Sequence, residues 1–267
     1  MDIRDHLEGD AFPLERIPDD GGYAAIFRTI GCVGDSLSSG ELVSVDKDRN
    51  IGYHDLYEYS WGQFIARATG CKAYNFSMGG MTARAYMQGF AEDRGFWDKE
   101  KACQAYIIAL GVNDIAEALR DGVSLGSLSD ISDDWSKNAH SFTGYYAAIV
   151  QRLKEISPDA KFFFMTMPKS DVYEGKQFEM EERHAEIMYE LAGYFANSYV
   201  IDLRRYGPVY DEYFRDKFYM TGHLTVAGYL YTAKVVMAYI DFIVRHNMSD
   251  FRKSGFIGTP YINVDYD

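Results

Sequence analysis

The stretch Ile30-Gly31-Cys32-Val33-Gly34-Asp35-Ser36-Leu37-Ser38-Ser39-Gly40 decides how the rest of the chain reads. The apolar residues Ala24, Ala25, Ile26 and Phe27 lead into it, and then small polar residues and glycines abruptly take over. That is the pattern of a buried strand ending in a tight loop. In an open α/β sheet, ligands bind at the carboxyl ends of the strands. A serine between Gly34 and Gly40 at such an end is sterically accessible. An ordinary strand-to-loop turn also uses Ser and Gly, so the stretch has to be weighed with what surrounds it.

Outward from this strand, the chain alternates strands and helices. Lys72 to Ser77 reads as a second strand, Gln104 to Leu110 as a third, Lys161 to Met167 as a fourth stopped by Pro168, and Tyr199 to Leu203 as a fifth. The third is a near-continuous apolar run, as expected of a strand covered on both faces. Helical spacing runs from Leu56 to Thr69, with Gly70 placed as a C-terminal glycine. It recurs in Phe142, Tyr146, Ile149, Val150, Leu153 and Ile156, in Met180, His184, Ile187, Met188, Leu191 and Phe195, and from about Thr225 to His246. Thr82 to Phe90 reads as a short helix. Glu41 to Tyr53 reads as a polar loop flanking the first strand end, and Asp121 to Asp134 as loop.

The expectation is an α/β protein, a three-layer α/β/α sandwich with a five-stranded parallel sheet in the flavodoxin-like order 2-1-3-4-5. The whole of 1–267 reads as one domain. Residues 1–22, with Pro13, Pro18 and Gly21-Gly22, form a surface arm; the core runs from about 23 to 248; the tail from Ser249 is irregular.

Composition narrows the class of function. The 267 residues are 47% hydrophobic, enough for one large core, and carry a formal net charge of −13. Such an acidic surface repels phosphate backbones and anionic membrane, which argues against nucleic acid as a partner. Cys32, Cys71 and Cys103 are odd in number and lack CxxC spacing, so neither a disulfide framework nor a zinc site is expected. The charged start Met1-Asp2-Ile3-Arg4-Asp5-His6 lacks the apolar core of a signal peptide, and no apolar run reads as long enough to span a membrane. A reduced, cytoplasmic setting is the expectation, with no membrane association. No cofactor and no metal are expected, since no His/Asp/Glu cluster has ligand spacing and no phosphate-binding glycine pattern occurs. Oligomeric state is not legible.

Three strands end in small, polar or glycine-rich sequence: Gly34-Asp35-Ser36, Met78-Gly79-Gly80 and Gly111-Val112-Asn113-Asp114. In the order 2-1-3 these ends are neighbours, so their loops converge. Ester hydrolysis needs a nucleophile, a base, and donors aimed at the developing oxyanion. Ser36 offers the hydroxyl, backbone N–H groups at Ser36 and Gly80 can point into the pocket, and the Asn113 amide is an uncharged donor.

Together these segments resemble the SGNH, or GDSL, hydrolases. Gly34-Asp35-Ser36-Leu37 is similar to that family's first motif. Asn75-Phe76-Ser77-Met78-Gly79-Gly80-Met81-Thr82 is similar to its second, with Gly80 the matching glycine and Gly79 the alternative. Gly111-Val112-Asn113-Asp114 resembles the third, and Gly222-His223-Leu224-Thr225-Val226-Ala227-Gly228-Tyr229 the fifth. The resemblance spans about residues 27 to 245. It implies Ser36 as nucleophile, His223 as general base, and Ser36, Gly80 and Asn113 as the oxyanion hole. It also implies a carbohydrate O-acetyl ester or a lipid-like ester as substrate.

One position departs. The family places an aspartate three residues before its histidine, where this chain has Met220. A thioether cannot hold an imidazolium. Either another acceptor orients His223, with Asp216, Asp202 or a main-chain carbonyl as candidates, or a Ser–His dyad works alone, or the chain is a non-catalytic carbohydrate-binding or regulatory protein. The reading adopted is a serine esterase of a small acyl ester, with Asp216 as the candidate base-orienting acid.

Overall fold

The computed structural model describes residues 3–266. Its main sheet holds β1 (Thr29–Gly34), β4 (Lys72–Ser77), β5 (Ala105–Ala109), β6 (Lys161–Met165) and β7 (Ser198–Ile201), in the order β4-β1-β5-β6-β7. Every pairing within it is parallel. That is the order expected from the sequence.

The apolar runs of the strands feed two cores. Val33, Phe76, Tyr106, Ile108, Phe162 and Phe164 face one side, under the helices Phe142–Ile156 and Gly175–Tyr194. Their chain neighbours Cys32, Ile107, Phe163 and Met165 face the other, under the helices Trp61–Thr69 and Val226–His246. Successive strand residues alternate between faces, so covering both faces requires apolar residues at nearly every position.

Four local readings need correction. Glu41 to Tyr53 is not a loop: β2 (Glu41–Val45) and β3 (Ile51–Asp55) pair antiparallel across a turn in which Asp46 accepts the Asp48 and Asn50 N–H groups. Val43, Val45, Ile51 and Tyr53 carry its alternation, and the many polar residues between them mask it. The segment Val112–Asp121, unassigned from sequence, is a helix that leaves through Gly122 at φ 72°. The expected helix from Thr82 is Ala83–Ala85 followed by a kinked turn, where Gly89 takes φ 143°. The helix expected from Leu56 begins at Trp61, because Ser60 caps it by accepting the Gln63 N–H at 3.2 Å. The preceding residues Tyr57–Tyr59 form a 3₁₀ turn.

The sequence reading found no run long enough to cross a membrane, yet Val226–His246 is long and apolar enough by length and composition. Its apolarity is accounted for by burial, since most of the helix packs on the sheet. The arm is tied to this same helix. Buried Asp241 accepts the Tyr23 N–H at 2.8 Å and pairs with Arg245 at 2.8 Å and Arg16 at 3.3 Å, and Arg245 reaches Leu7 O and Asp10. The tail from Ser249 makes short 3₁₀ turns. It closes the opposite end of the sheet, where Ser254 O and Ile257 O accept from Gln104.

Candidate active site

β1 delivers Asp35 to the carboxyl edge of the sheet, and the chain turns at once into the four-residue helix Ser36–Ser39. Asp35 caps that helix by accepting the Leu37 N–H at 3.0 Å. Ser36 is its first residue, so its N–H has no acceptor within the helix. Two glycines make the turn. A Cβ on Gly34 would lie 2.2 Å from Ser38 Oγ, and Gly40 leaves the helix at φ 78°.

His223 arrives from the far end of the chain on a small hairpin. β8 (Tyr219–Met220) and β9 (His223–Leu224) are joined by Thr221 and Gly222 at φ 53° and 85°, the positive angles a two-residue hairpin turn demands. This brings His223 Nε2 to 3.1 Å from Ser36 Oγ, across 187 residues of sequence. Buried Tyr229, from the final helix, donates to Glu41 O at 2.8 Å and Ser36 O at 3.3 Å, fixing the backbone beside the serine.

The second and third strand-end loops complete the cleft, which Gly79, Gly80 and Asn113 line together with Ser36 and His223. Gly79 and Gly80 differ in use. Gly79 directs its N–H toward Asp55 Oδ2 at 3.5 Å, and a Cβ there would lie 2.2 Å from Glu41 Oε2. Gly80 sits at φ 72° with open space where a Cβ would be, so its backbone angle, not crowding, calls for glycine. Among the described residues its N–H has no acceptor. Asn113 Nδ2 donates to Met81 O at 3.2 Å and to Asp35 Oδ2 at a longer 3.4 Å. Asp114 ties the two loops together by accepting the Ala83 N–H at 2.9 Å. Beneath them His184 is fully buried. Burial pushes it down to about 4, and neutral, it bonds Leu110 O at 3.0 Å.

None of the acceptors anticipated for His223 reaches it. Asp216 lies exposed on the helix Glu212–Phe218 with its carboxylate on Lys217 Nζ at 2.5 Å, and that pairing holds it below the usual carboxylate range. Asp202 is occupied as a helix cap for Arg205 N–H and by the Tyr189 and Thr166 hydroxyls. His223 Nδ1 is buried with no hydrogen-bond partner, so no main-chain carbonyl serves either. The carboxylate that does approach is Glu41, whose Oε1 stands 3.0 Å from His223 Nε2, the same nitrogen that faces Ser36. Sequence reasoning missed it, because only the β2–β3 pairing and the hairpin of His223 bring the two together. Met220 lies opposite His223 in that hairpin, half exposed to solvent.

Burial also acts on Asp35. Desolvation pushes its carboxyl up to about 7 against the Leu37 N–H that favours the anion, and Glu41 adds a like charge. The folded protein therefore keeps a proton that the unfolded chain releases near the ordinary value of ~4. The stability contributed by this group is complete below about pH 4 and lost as pH rises through about 7. Asp35→Asn keeps the capping oxygen and removes the ionisation. Its melting temperature relative to the parent should be higher at about pH 9 than at about pH 5; an equal difference at the two pH values would contradict a buried, reluctantly ionised Asp35.

A three-layer α/β/α sheet with this cleft at its carboxyl edge has the architecture of a carboxylic ester hydrolase. The chain belongs to the GDSL-like Lipase/Acylhydrolase family, whose family model matches residues 32–230. No curated protein matches it. Solved structures with the same fold include an acetyl xylan esterase, at 17% identity and a TM-score of 0.52 over 79% of this chain and 99% of that one. A carbohydrate esterase family 2 enzyme with a carbohydrate-binding domain, from Corynascus thermopiles (Myceliophthora fergusii), is 16% identical with a TM-score of 0.54 over 82% of this chain and 67% of that one. A family two carbohydrate esterase from Clostridium thermocellum, in complex with cellohexaose, is 15% identical with a TM-score of 0.54 over 84% of this chain and 65% of that one.

Proposed function

We propose that this protein is a serine esterase that hydrolyses a small acyl ester, with a carbohydrate O-acetyl ester as the leading substrate class. The observation that carries the reading is the 3.1 Å approach of Ser36 Oγ to His223 Nε2 at the wall of a cleft that Gly80 and Asn113 share. Ser36 attacks the ester carbonyl as His223 takes its proton. The N–H groups of Ser36 and Gly80 and the Asn113 amide receive the oxyanion. His223 then returns the proton to the departing alcohol, and water hydrolyses the acyl-enzyme. An exposed aromatic ring, Tyr53, lies edge-on to His223 at 6.3 Å and offers a face to a sugar leaving group. The carbohydrate esterases that share the fold support that substrate class.

A fluorophosphonate tests the reading, because it phosphonylates only an activated serine. Intact mass and peptide mapping should show one adduct, on Ser36. An inert Ser36 would favour the second reading, a carbohydrate-binding protein that kept the fold without the chemistry. Met220 and the unpartnered His223 Nδ1 are the features that favour it.

A further inference from the structure

The β2–β3 register sets Glu41 directly opposite Asp55. Like charges facing each other across a strand pair destabilise it, so two carboxylates at this position call for a compensating positive charge. Asp55 is provided for: it accepts the Ser39 hydroxyl and is approached by the Gly79 N–H. Glu41 is not. Its side chain is nearly buried, its Oε2 rests in the space that the missing Cβ of Gly79 leaves, and its ion partner is His223 Nε2 at 3.0 Å. Neither lysine nor arginine lines the cleft.

The geometry points to Glu41 as the carboxylate that stabilises the His223 imidazolium in place of the acid missing at position 220, acting from the Nε2 side as a positioning residue. This rests on the serine-esterase reading. As Ser36 Oγ bonds to the ester carbon, its O–H bond breaks and the proton passes to Nε2, while the carbonyl electron pair moves onto the oxyanion. The new Nε2–H points to Oγ, and the charge formed on the ring meets the Glu41 carboxylate at 3.0 Å. When the C–O bond to the alcohol breaks, that proton leaves with the alcohol oxygen. Glu41 lines the same cleft, takes no part in the bonds made or broken, and acts through the ring. An aspartate on Nδ1 controls both tautomer and charge; a carboxylate on Nε2 supplies the charge alone.

Burial raises Glu41 toward the neutral acid, His223 opposes this, Asp55 reinforces it and His54 opposes it. Asp35 and Tyr229 are the remaining titratable groups coupled to Glu41. Removing the Glu41 charge makes the ring harder to protonate, so the acid limb of kcat/KM should move to lower pH.

The test compares Glu41→Gln, Met220→Asp and the double variant with the parent on p-nitrophenyl acetate across pH. Glu41→Gln should lower kcat by roughly 10²-fold, short of the ~10⁴ that loss of a triad aspartate costs, with KM nearly unchanged and the acid limb at lower pH. Cross-strand neighbours lie on one face of a hairpin, so Met220→Asp in the Glu41→Gln background should recover about tenfold or more. A side chain that only filled space would show neither the limb shift nor the rescue. Met220→Asp alone changes an exposed position that folding tolerates, and it should alter kcat by less than about tenfold; a rise of ~10² or more would overturn the proposal, since the ring would then have lacked any effective acid. Glu41→Gln that matches or exceeds the parent would also overturn it. Ser36→Ala in the same assay separates the two readings. Activity that persists there removes the serine mechanism itself, whereas activity lost there but intact in Glu41→Gln removes only the role of Glu41.

Discussion

Ser36→Ala should abolish measurable ester turnover while leaving the melting temperature close to that of the parent. The serine sits at a helix start whose cap is the Asp35 side chain, so losing one hydroxyl leaves the turn intact. How far the rate falls is informative. In a well-studied serine protease, loss of the nucleophile costs about 2 × 10⁶ in kcat, and loss of the triad aspartate alone about 3 × 10⁴. A dyad with no working acid therefore stands only about 10² above the serine-less enzyme. A fall near 10⁶ here would mean that the environment of His223 replaces the acid fully, and a fall near 10² that it scarcely does. A variant as active as the parent would remove Ser36 from the chemistry. The measurement is a steady-state rate on p-nitrophenyl acetate, with the parent and mutant melts recorded side by side.

Asn113→Ala should cut kcat by roughly 10²–10³ with little change in KM, the loss typical of one oxyanion donor. At rest the amide is spent on Met81 O at 3.2 Å and, less well, on Asp35 Oδ2 at 3.4 Å. The longer bond is the one an oxyanion displaces, since a charged acceptor at ordinary hydrogen-bond distance outcompetes it. The stabilisation therefore arises only as the tetrahedral intermediate forms, which is why kcat and not KM should carry the effect. An effect confined to KM would instead assign Asn113 to ground-state binding. The melt has to be recorded here too, because the amide also bridges the first and second strand-end loops.

The two residues were legible for different reasons. Ser36 stands out because a buried strand stops abruptly into small residues, a signal local to the one stretch Ile30 to Gly40. Asn113 and Gly80 became candidates through the order 2-1-3, which makes their strand ends neighbours of β1, together with the resemblance of their segments to the family's motifs, and the sheet has that order. The polar hairpin at Glu41 was not legible. Its strand alternation is interrupted by serine, glycine and histidine, and nothing local marks Glu41 as different from a solvated glutamate. Asp216 was the reverse case: near His223 in sequence, but on the outer face of its helix, where Lys217 takes its charge.

The sequence by itself determined the layering, the strand order and the three converging loops, because each rests on patterns of a few residues: near-continuous apolar runs, helical spacing, glycines at strand ends. It also marked the absence of an acid before His223, since that is a single letter, Met220. Only the tertiary structure decided what stands where that acid was expected. The pairing of β2 with β3, the turn at Thr221 and Gly222, and the space left by Gly79 together set Glu41 Oε1 at 3.0 Å from His223 Nε2 and leave Nδ1 without a partner. The hairpins themselves are local, but the meeting of Glu41 with His223 joins segments far apart in the chain, fixed by side-chain direction and backbone angle that no local pattern encodes.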